Sequence, residues 1–317
     1  MTPLRRYAAL DEAVGVRVLV KHENHLPTNA FKVRNGVSFM TALPPEQRTR
    51  GVIAASRGNH GAGLAWAGEQ LGVPVVICVP HGNNPEKNAA IRGFGAELIE
   101  AGRDYDESVE VATRLARERG LVMAHSTNDA NVLAGAATLS AELCEQAGEL
   151  ERRSREDQDD RGEREALDAI VVAVGGGSQA VGALLATDAL RPGVAVYGVQ
   201  AAAAAAIHDS WHAGTRLTTP TADTFADGLA TRATYDFTWE PLRRLAGFVA
   251  VSDAEIADAI RLLWRTTHNL AEGAGAAGLA GLRQLRDRLR PGATVAVILS
   301  GSNLDEPTVR RVMSGEL

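Results

Sequence analysis

Cysteine is scarce, with two residues in 317. Cys78 lies in the apolar run VVICV and Cys144 in the helical pattern LSAELCEQ, so neither has metal-ligand spacing or belongs to a disulfide framework. Long hydrophobic runs are missing too. The first residues, MTPLRRYAALDEAVG, hold no apolar signal core, and no stretch reaches membrane-spanning length. Positive charge is not in excess: the net charge is −6, which gives no electrostatic footprint for nucleic acid. These absences predict a reduced, cytoplasmic protein with a small-molecule ligand and no membrane or nucleic-acid partner, and a homodimer is the expected assembly. Nucleotide signatures are also lacking. Neither of two glycine clusters spells G-x-G-x-x-G, no GxxxxGK[ST] occurs, and the strand after the second cluster ends in Gln200 and six alanines, with no acid for a ribose.

What is present is a β-α rhythm. Short β-branched runs at residues 16–20 (VRVLV), 51–55, 73–79, 97–100 and 121–124 alternate with helical patterns, and a second series follows at 169–174, 194–199, 248–251 and 294–299. Such alternation means parallel sheets with crossover helices, an α/β fold of two open parallel-sheet domains. Ser252 and Glu255 have capping-box spacing ahead of the helix that runs to Leu270. The expected division is a large domain of residues 1–47 plus 131–317 and a small one of 48–130. Residues 149–165 (ELERRSREDQDDRGERE) carry thirteen charges in seventeen positions, and they read as a charged flexible insertion, either a solvated loop or a frayed helix extension.

Four segments concentrate the chemistry. In ENHLPTNAFKVRNG, Lys32 stands where an extended segment turns into a helix, with Thr28 and Asn29 as candidate caps. A helix start disfavours positive charge. Lys32 is therefore either an ordinary solvated lysine or one whose amine is neutral or covalently engaged. AASRGNHGAG and VGGGSQAVG each join a strand to a helix, where adjacent amides can face an anion. VILSGSNLD ends a strand on Ser300, a simple turn when taken alone.

Together these segments resemble the fold type II pyridoxal-phosphate enzymes (tryptophan synthase β-like architecture), most closely the threonine/serine dehydratase group that includes serine racemase. PTNAFKVRNG is similar to that family's PTGSFKxRG, SRGNHG to SSGNHG, VGGGS to VGGGG and LSGSN to LSGGN, while DTFADGLA resembles its ADG loop with Ala226, Asp227 and Gly228. The resemblance implies that Lys32 links covalently to pyridoxal 5'-phosphate and serves as the catalytic base. Phe31 would pack beside the ring and Asn59 would bond the ring hydroxyl. Gly175, Gly176, Gly177, Ser178 and Gln179 would cradle the phosphate, Gly228 would line the ring and Ser300 would face the ring nitrogen. Ser56, Arg57, Asn59 and His60 would hold the substrate. Glu272, in AEGAGAAG, matches a glutamate near the ring.

Departures from the pattern matter as much. Arg57 replaces the serine that serine racemase uses as a second acid/base, and an arginine stays protonated. Asn29 and Ala30 replace Gly-Ser, and Asn35 stands at the family's glycine. The alanines from 201 to 206 offer no oxygen ligand, so no metal is expected. The implied activity is an ammonia-lyase reaction, β-elimination from a 3-hydroxy amino acid such as threonine or serine to a 2-oxo acid and ammonia. The alternatives are a serine/threonine racemase, or a dehydratase for a bulkier substrate such as phenylserine or 3-hydroxyaspartate.

Overall fold

A computed structural model describes residues 1–103, 105–157 and 166–317 of the protein. The strands are β1 (Leu4–Arg6), β2 (Arg17–His22), β3 (Val52–Ala55), β4 (Val75–Val79), β5 (Glu97–Glu100), β6 (Val122–Met123), β7 (Leu167–Ala173), β8 (Ala195–Ala201), β9 (Gly247–Val251) and β10 (Thr294–Leu299). They form two sheets, and the chain divides into two compact units: Met1–His25 with Ala137–Leu317, and Leu26–Ala136.

The larger unit holds the six-stranded sheet in the order β1-β2-β10-β7-β8-β9. All its pairings are parallel except β1 with β2. Alternate residues of β10 explain its position at the centre. Val295, Val297 and Leu299 join one hydrophobic cluster, Ala296 and Ile298 face the other way, and every residue is buried. The capping box at Ser252 and Glu255 forms as expected and opens the helix Asp253–Thr267.

The smaller unit holds the four-stranded parallel sheet, β5-β4-β3-β6. Val52 and Ala54 of β3 and Val75, Ile77 and Val79 of β4 enter one cluster, while Ile53, Ala55, Val76 and Cys78 enter another on the opposite face. A strand buried on both faces reads as an unbroken apolar run, as VVICV does. Residues 26–47, grouped by sequence with the larger unit, pack here for a steric reason. The helix Lys32–Ala42 meets the helix Asn59–Leu71 backbone to backbone, since a Cβ on Gly36 would lie 2.5 Å from the Gly63 carbonyl oxygen.

Residues 149–157 form the end of the helix Ala130–Asp157, the helix extension among the readings of this charged stretch, while 158–165 lie outside the described residues. Glu151 accepts from the Leu167 amide at 2.9 Å and pairs with Arg191, so this charged stretch is tied to the start of β7. Neither Thr28 nor Asn29 holds the N-cap position of the lysine helix. Phe31 occupies the N-cap position with no side-chain bond, and Thr28 Oγ1 turns to the Ala30 carbonyl. Asn29 instead supplies a left-handed backbone, φ 53°, which asparagine tolerates better than most residues.

Candidate active site

In the smaller unit, Lys32 opens its helix directly beneath Phe31, with Nζ 4.9 Å from the ring centroid. The contact with the neighbouring helix fixes that position: a Cβ on Gly63 would lie 2.6 Å from the Lys32 carbonyl oxygen. Burial lowers the Lys32 amine to about 8, because the charged form loses its water. The amine is thus far closer to neutrality than a solvated lysine.

The loop after β3 carries Ser56, Arg57 and Gly58 into the helix that begins at Asn59. Ser56 is buried, and its Oγ accepts from the amides of Gly58 (3.1 Å) and Gly61 (2.9 Å). It therefore organises the turn from within. Arg57 is exposed and Asn59 half-buried. His60 is 6% exposed, and its Nε2 lies 3.0 Å from the Ala124 carbonyl oxygen, which can only accept. Nε2 must carry the proton, so Nδ1 is a lone-pair acceptor, and it has no hydrogen-bond partner. Burial, then the Lys32 charge, pushes His60 down to about 3. So placed, the His60 ring offers a carboxylate no donor. It offers an acceptor to an amine or hydroxyl.

His125 escaped the sequence reading. Its Nδ1 accepts from the amides of Thr127 (3.0 Å) and Asn128 (2.9 Å), and burial lowers its pKa, with a further lowering from Lys32. Two neutral imidazoles thus lie within electrostatic reach of the lysine. The signal was available, since His125 follows a strand end, and ligands of parallel sheets bind at the carboxyl ends of strands.

In the larger unit, β7 and β10 pair in parallel with Val171 opposite Val297, so the loops that follow them leave the same edge of the sheet. After β7, Gly175, Gly176 and Gly177 lead into the helix Ser178–Leu190. Only glycine fits at 175, where a Cβ would sit 2.1 Å from the carbonyl oxygen of Gly228. Gly177 has φ 99° and serves as N-cap. Thr238 Oγ1 donates to the Gly176 carbonyl at 2.9 Å, a tether between positions far apart in the chain. Ser178 and Gln179 are buried in the helix's first turn, and both amide atoms of Gln179 are without a partner. A buried amide left unpaired costs about 1–3 kcal/mol, which a ligand at the cup could offset. After β10, Ser300 is buried, and the following Gly301 carbonyl accepts from the Glu272 amide at 3.0 Å. The expected loop around Gly228 forms a short 3-10 turn, Asp227–Leu229.

These features fit pyridoxal phosphate. The smaller unit presents a desolvated amine, and the larger one a glycine turn at a helix start, with the unpartnered amide of Gln179 beside it, and a buried hydroxyl at a strand end.

Comparison with known proteins agrees. The family model described as pyridoxal-phosphate dependent enzyme matches residues 1–301. An L-threonine ammonia-lyase of Geobacter sulfurreducens is 36% identical over 303 residues, covering 95% of this chain and 71% of that one. An L-threo-3-hydroxyaspartate ammonia-lyase of a Pseudomonas species is 31% identical over 315 residues, covering 99% and 93%. Among solved structures, the processed form of threonine deaminase isoform 2 from Solanum lycopersicum superposes with a TM-score of 0.89 at 27% identity, covering 99% of this chain and 87% of that one.

Proposed function

Because this chain belongs to the pyridoxal-phosphate-dependent enzymes and shares their fold type II architecture, we propose that it is an ammonia-lyase. Its substrate is a 3-hydroxy amino acid, with threonine and serine as the reference cases, and its products are a 2-oxo acid and ammonia. The observation that carries this reading is the desolvated amine of Lys32, in a segment similar to the family's lysine motif, on a chain 36% identical to a threonine ammonia-lyase.

Pyridoxal phosphate, when bound, supplies an electron sink for the substrate's α-carbon. Lys32 holds the cofactor and, as a neutral amine, takes the α-proton on Nζ. A pKa of about 8 suits that task, since a base ordinarily protonated to pH 10 would be idle at neutral pH. Phe31 would pack beside the ring and Asn59 would bond its hydroxyl. The amides of Gly175, Gly176, Gly177, Ser178 and Gln179 hold the phosphate, where the start of a thirteen-residue helix adds a favourable field. Gly228 keeps the loop beside the cup close to it. Ser300 would meet the ring nitrogen with a neutral hydroxyl, which suits elimination, where the leaving hydroxyl takes the electron pair, better than a long-lived carbanion. Ser56 builds the turn that presents the first-turn amides at Asn59 and His60 to the substrate carboxylate. Arg57 cannot serve as a second base, which speaks against racemisation. We further propose a cytoplasmic homodimer. Among the described residues no helix is long and apolar enough to cross a membrane, and both cysteines are free and buried.

The test is direct. Purified protein given pyridoxal phosphate should convert L-threonine or L-serine to 2-oxo acid and ammonia, and Lys32→Ala should abolish turnover along with borohydride-fixable cofactor. Lys21, the nearest lysine in sequence, is fully buried with its amine bonded to Glu142, Gln146 and the Thr2 carbonyl, so it is no substitute. Turnover undiminished in Lys32→Ala would refute the assignment.

A further inference from the structure

The edge of the smaller sheet at the carboxyl ends of its strands carries three side chains that the ammonia-lyase reaction itself does not need. Strands β3 and β6 pair in parallel with Val52 opposite Val122 and Ile53 opposite Met123. The Ala124 amide donates to the Ile53 carbonyl at 2.8 Å, so the loops bearing Arg57 and Ser126 leave the same edge side by side. Tyr105, the first residue of the helix Tyr105–Arg119, packs its ring against the cluster of Ile53, Ala55, Val76 and Cys78. Its hydroxyl reaches that edge and hydrogen-bonds the Ser126 side chain, with the Arg57 guanidinium in electrostatic range. Burial raises the phenol pKa, which keeps Tyr105 protonated and a donor.

Arg57 differs from three other arginines around this sheet. Arg92 pairs with Glu100, Arg103 with Glu107 and Arg119 with Glu97. Among the described residues Arg57 has no carboxylate partner, although Asn83 Nδ2 fixes its backbone by donating to its carbonyl at 3.2 Å. One cation and two hydroxyls, with no acid among them, match a carboxylate: the guanidinium binds it as a planar fork and the hydroxyls take its remaining lone pairs.

We infer that Arg57, Tyr105 and Ser126 form a second carboxylate subsite, which selects 3-hydroxy amino acids with an acidic side chain, of the 3-hydroxyaspartate type. The inference rests on the ammonia-lyase reading, with the main site holding the α-carboxylate and this one the side-chain carboxylate. A serine hydrogen or threonine methyl at the same place leaves the Arg57 fork without its carboxylate, which is how a polar pocket disfavours a substrate that lacks the matching group.

The experiment measures kcat/KM of the holoenzyme for threo-3-hydroxyaspartate, L-threonine and L-serine, in the unaltered protein and in Arg57→Ala, Arg57→Lys and Tyr105→Phe. Arg57→Ala should lose on the order of 10- to 100-fold on the dicarboxylate, the value of one charge-assisted contact, and less than about threefold on serine. Tyr105→Phe should lose less, on the dicarboxylate alone. Arg57→Lys should fall between, since an ammonium keeps the charge but not the fork. Calorimetric binding of succinate, which carries the two carboxylates and no reacting group, reads the subsite without turnover. Its Kd should weaken about tenfold or more in Arg57→Ala, whereas acetate binding should not change. Equal losses on all three amino acids, or succinate binding indifferent to Arg57, overturns the subsite and leaves the lyase reading standing. An unaltered protein that binds succinate through Arg57 but turns over no 3-hydroxy amino acid overturns the lyase reading instead.

Discussion

At the scale of single residues, the state of one amine governs the chemistry. Burial places Lys32 at about 8, so in cofactor-free protein the amine is protonated below that pH and neutral above it. Only the neutral amine can attack the cofactor's aldehyde. The rate of cofactor attachment, followed by its absorbance change, should therefore rise with pH and level off just above 8. A lysine at its ordinary value of about 10.4 would still be climbing at pH 9.5, and such a profile would show that Lys32 is not desolvated. Linkage predicts a second signature. Between pH 8 and about 10.4 the unfolded chain keeps the Lys32 proton while the folded chain has released it, so stability of the cofactor-free protein should rise with pH across that window. Lys32→Met should remove this slope. His60 fits the same picture. Its neutral ring adds no positive charge beside the amine, and a histidine that remains uncharged down to about 3 will not titrate in the activity profile.

At the scale of elements, the helices Lys32–Ala42 and Asn59–Leu71 touch through glycine, and that contact sets where the lysine begins. Gly63→Ala would press a methyl against the Lys32 carbonyl, 2.6 Å away, with backbone on the other side that cannot yield. A cost of about 1–3 kcal/mol is expected, with weaker cofactor retention. Gly93→Ala is the matched control. It closes the helix Pro85–Gly93 with nothing within 4 Å, and should be neutral or stabilising by about 0.5–1 kcal/mol. Equal effects of the two on cofactor retention would mean that the glycine contact does not position Lys32. The strands that sequence could read were those buried on both faces, since VPVVICV or TVAVIL announce themselves by continuous apolarity. β1 was invisible because LRR is a three-residue antiparallel edge with two exposed arginines. Charge left the helical course of residues 149–157 undecided, because it marks solvation but cannot reveal that Glu151 bonds the start of β7. In the site, glycine clusters and the lysine segment were legible because their chemistry is local. Tyr105, Thr238 and the tautomer of His60 were not, because each depends on a partner distant in sequence: Ser126, the Gly176 carbonyl and the Ala124 carbonyl.

At the scale of the whole chain, the larger unit is discontinuous: its first 25 residues must find a body that begins at Ala137. Hydrophobic contact serves part of this, with Leu10, Val14, Val18 and Val20 in the same cluster as Val295 and Val297. A buried polar cluster adds direction. Lys21, with no exposed surface, donates to Glu142 Oε1 at 2.5 Å, to Gln146 Oε1 at 2.7 Å and to the Thr2 carbonyl at 2.9 Å. The Thr2 amide joins the same carboxylate at 2.5 Å, and Thr2 Oγ1 bonds the buried Glu23 at 2.6 Å. One ammonium thus ties the N-terminal arm and β2 to the helix Ala130–Asp157. Removing one partner of such a buried pair leaves the other charge uncompensated, so Lys21→Met should lower stability by about 3–5 kcal/mol, read as a shift in the urea midpoint. Adding Glu142→Leu to it should restore part of the loss, because the stranded carboxylate goes with it. Arg310→Ala, which breaks the exposed pair with Glu306, should shift the midpoint too little to measure. Folded Lys21→Met should still attach cofactor at Lys32 with an unchanged pH profile, since its role is to close the larger unit. If Lys21→Met costs no more than Arg310→Ala, closure rests on the apolar cluster alone.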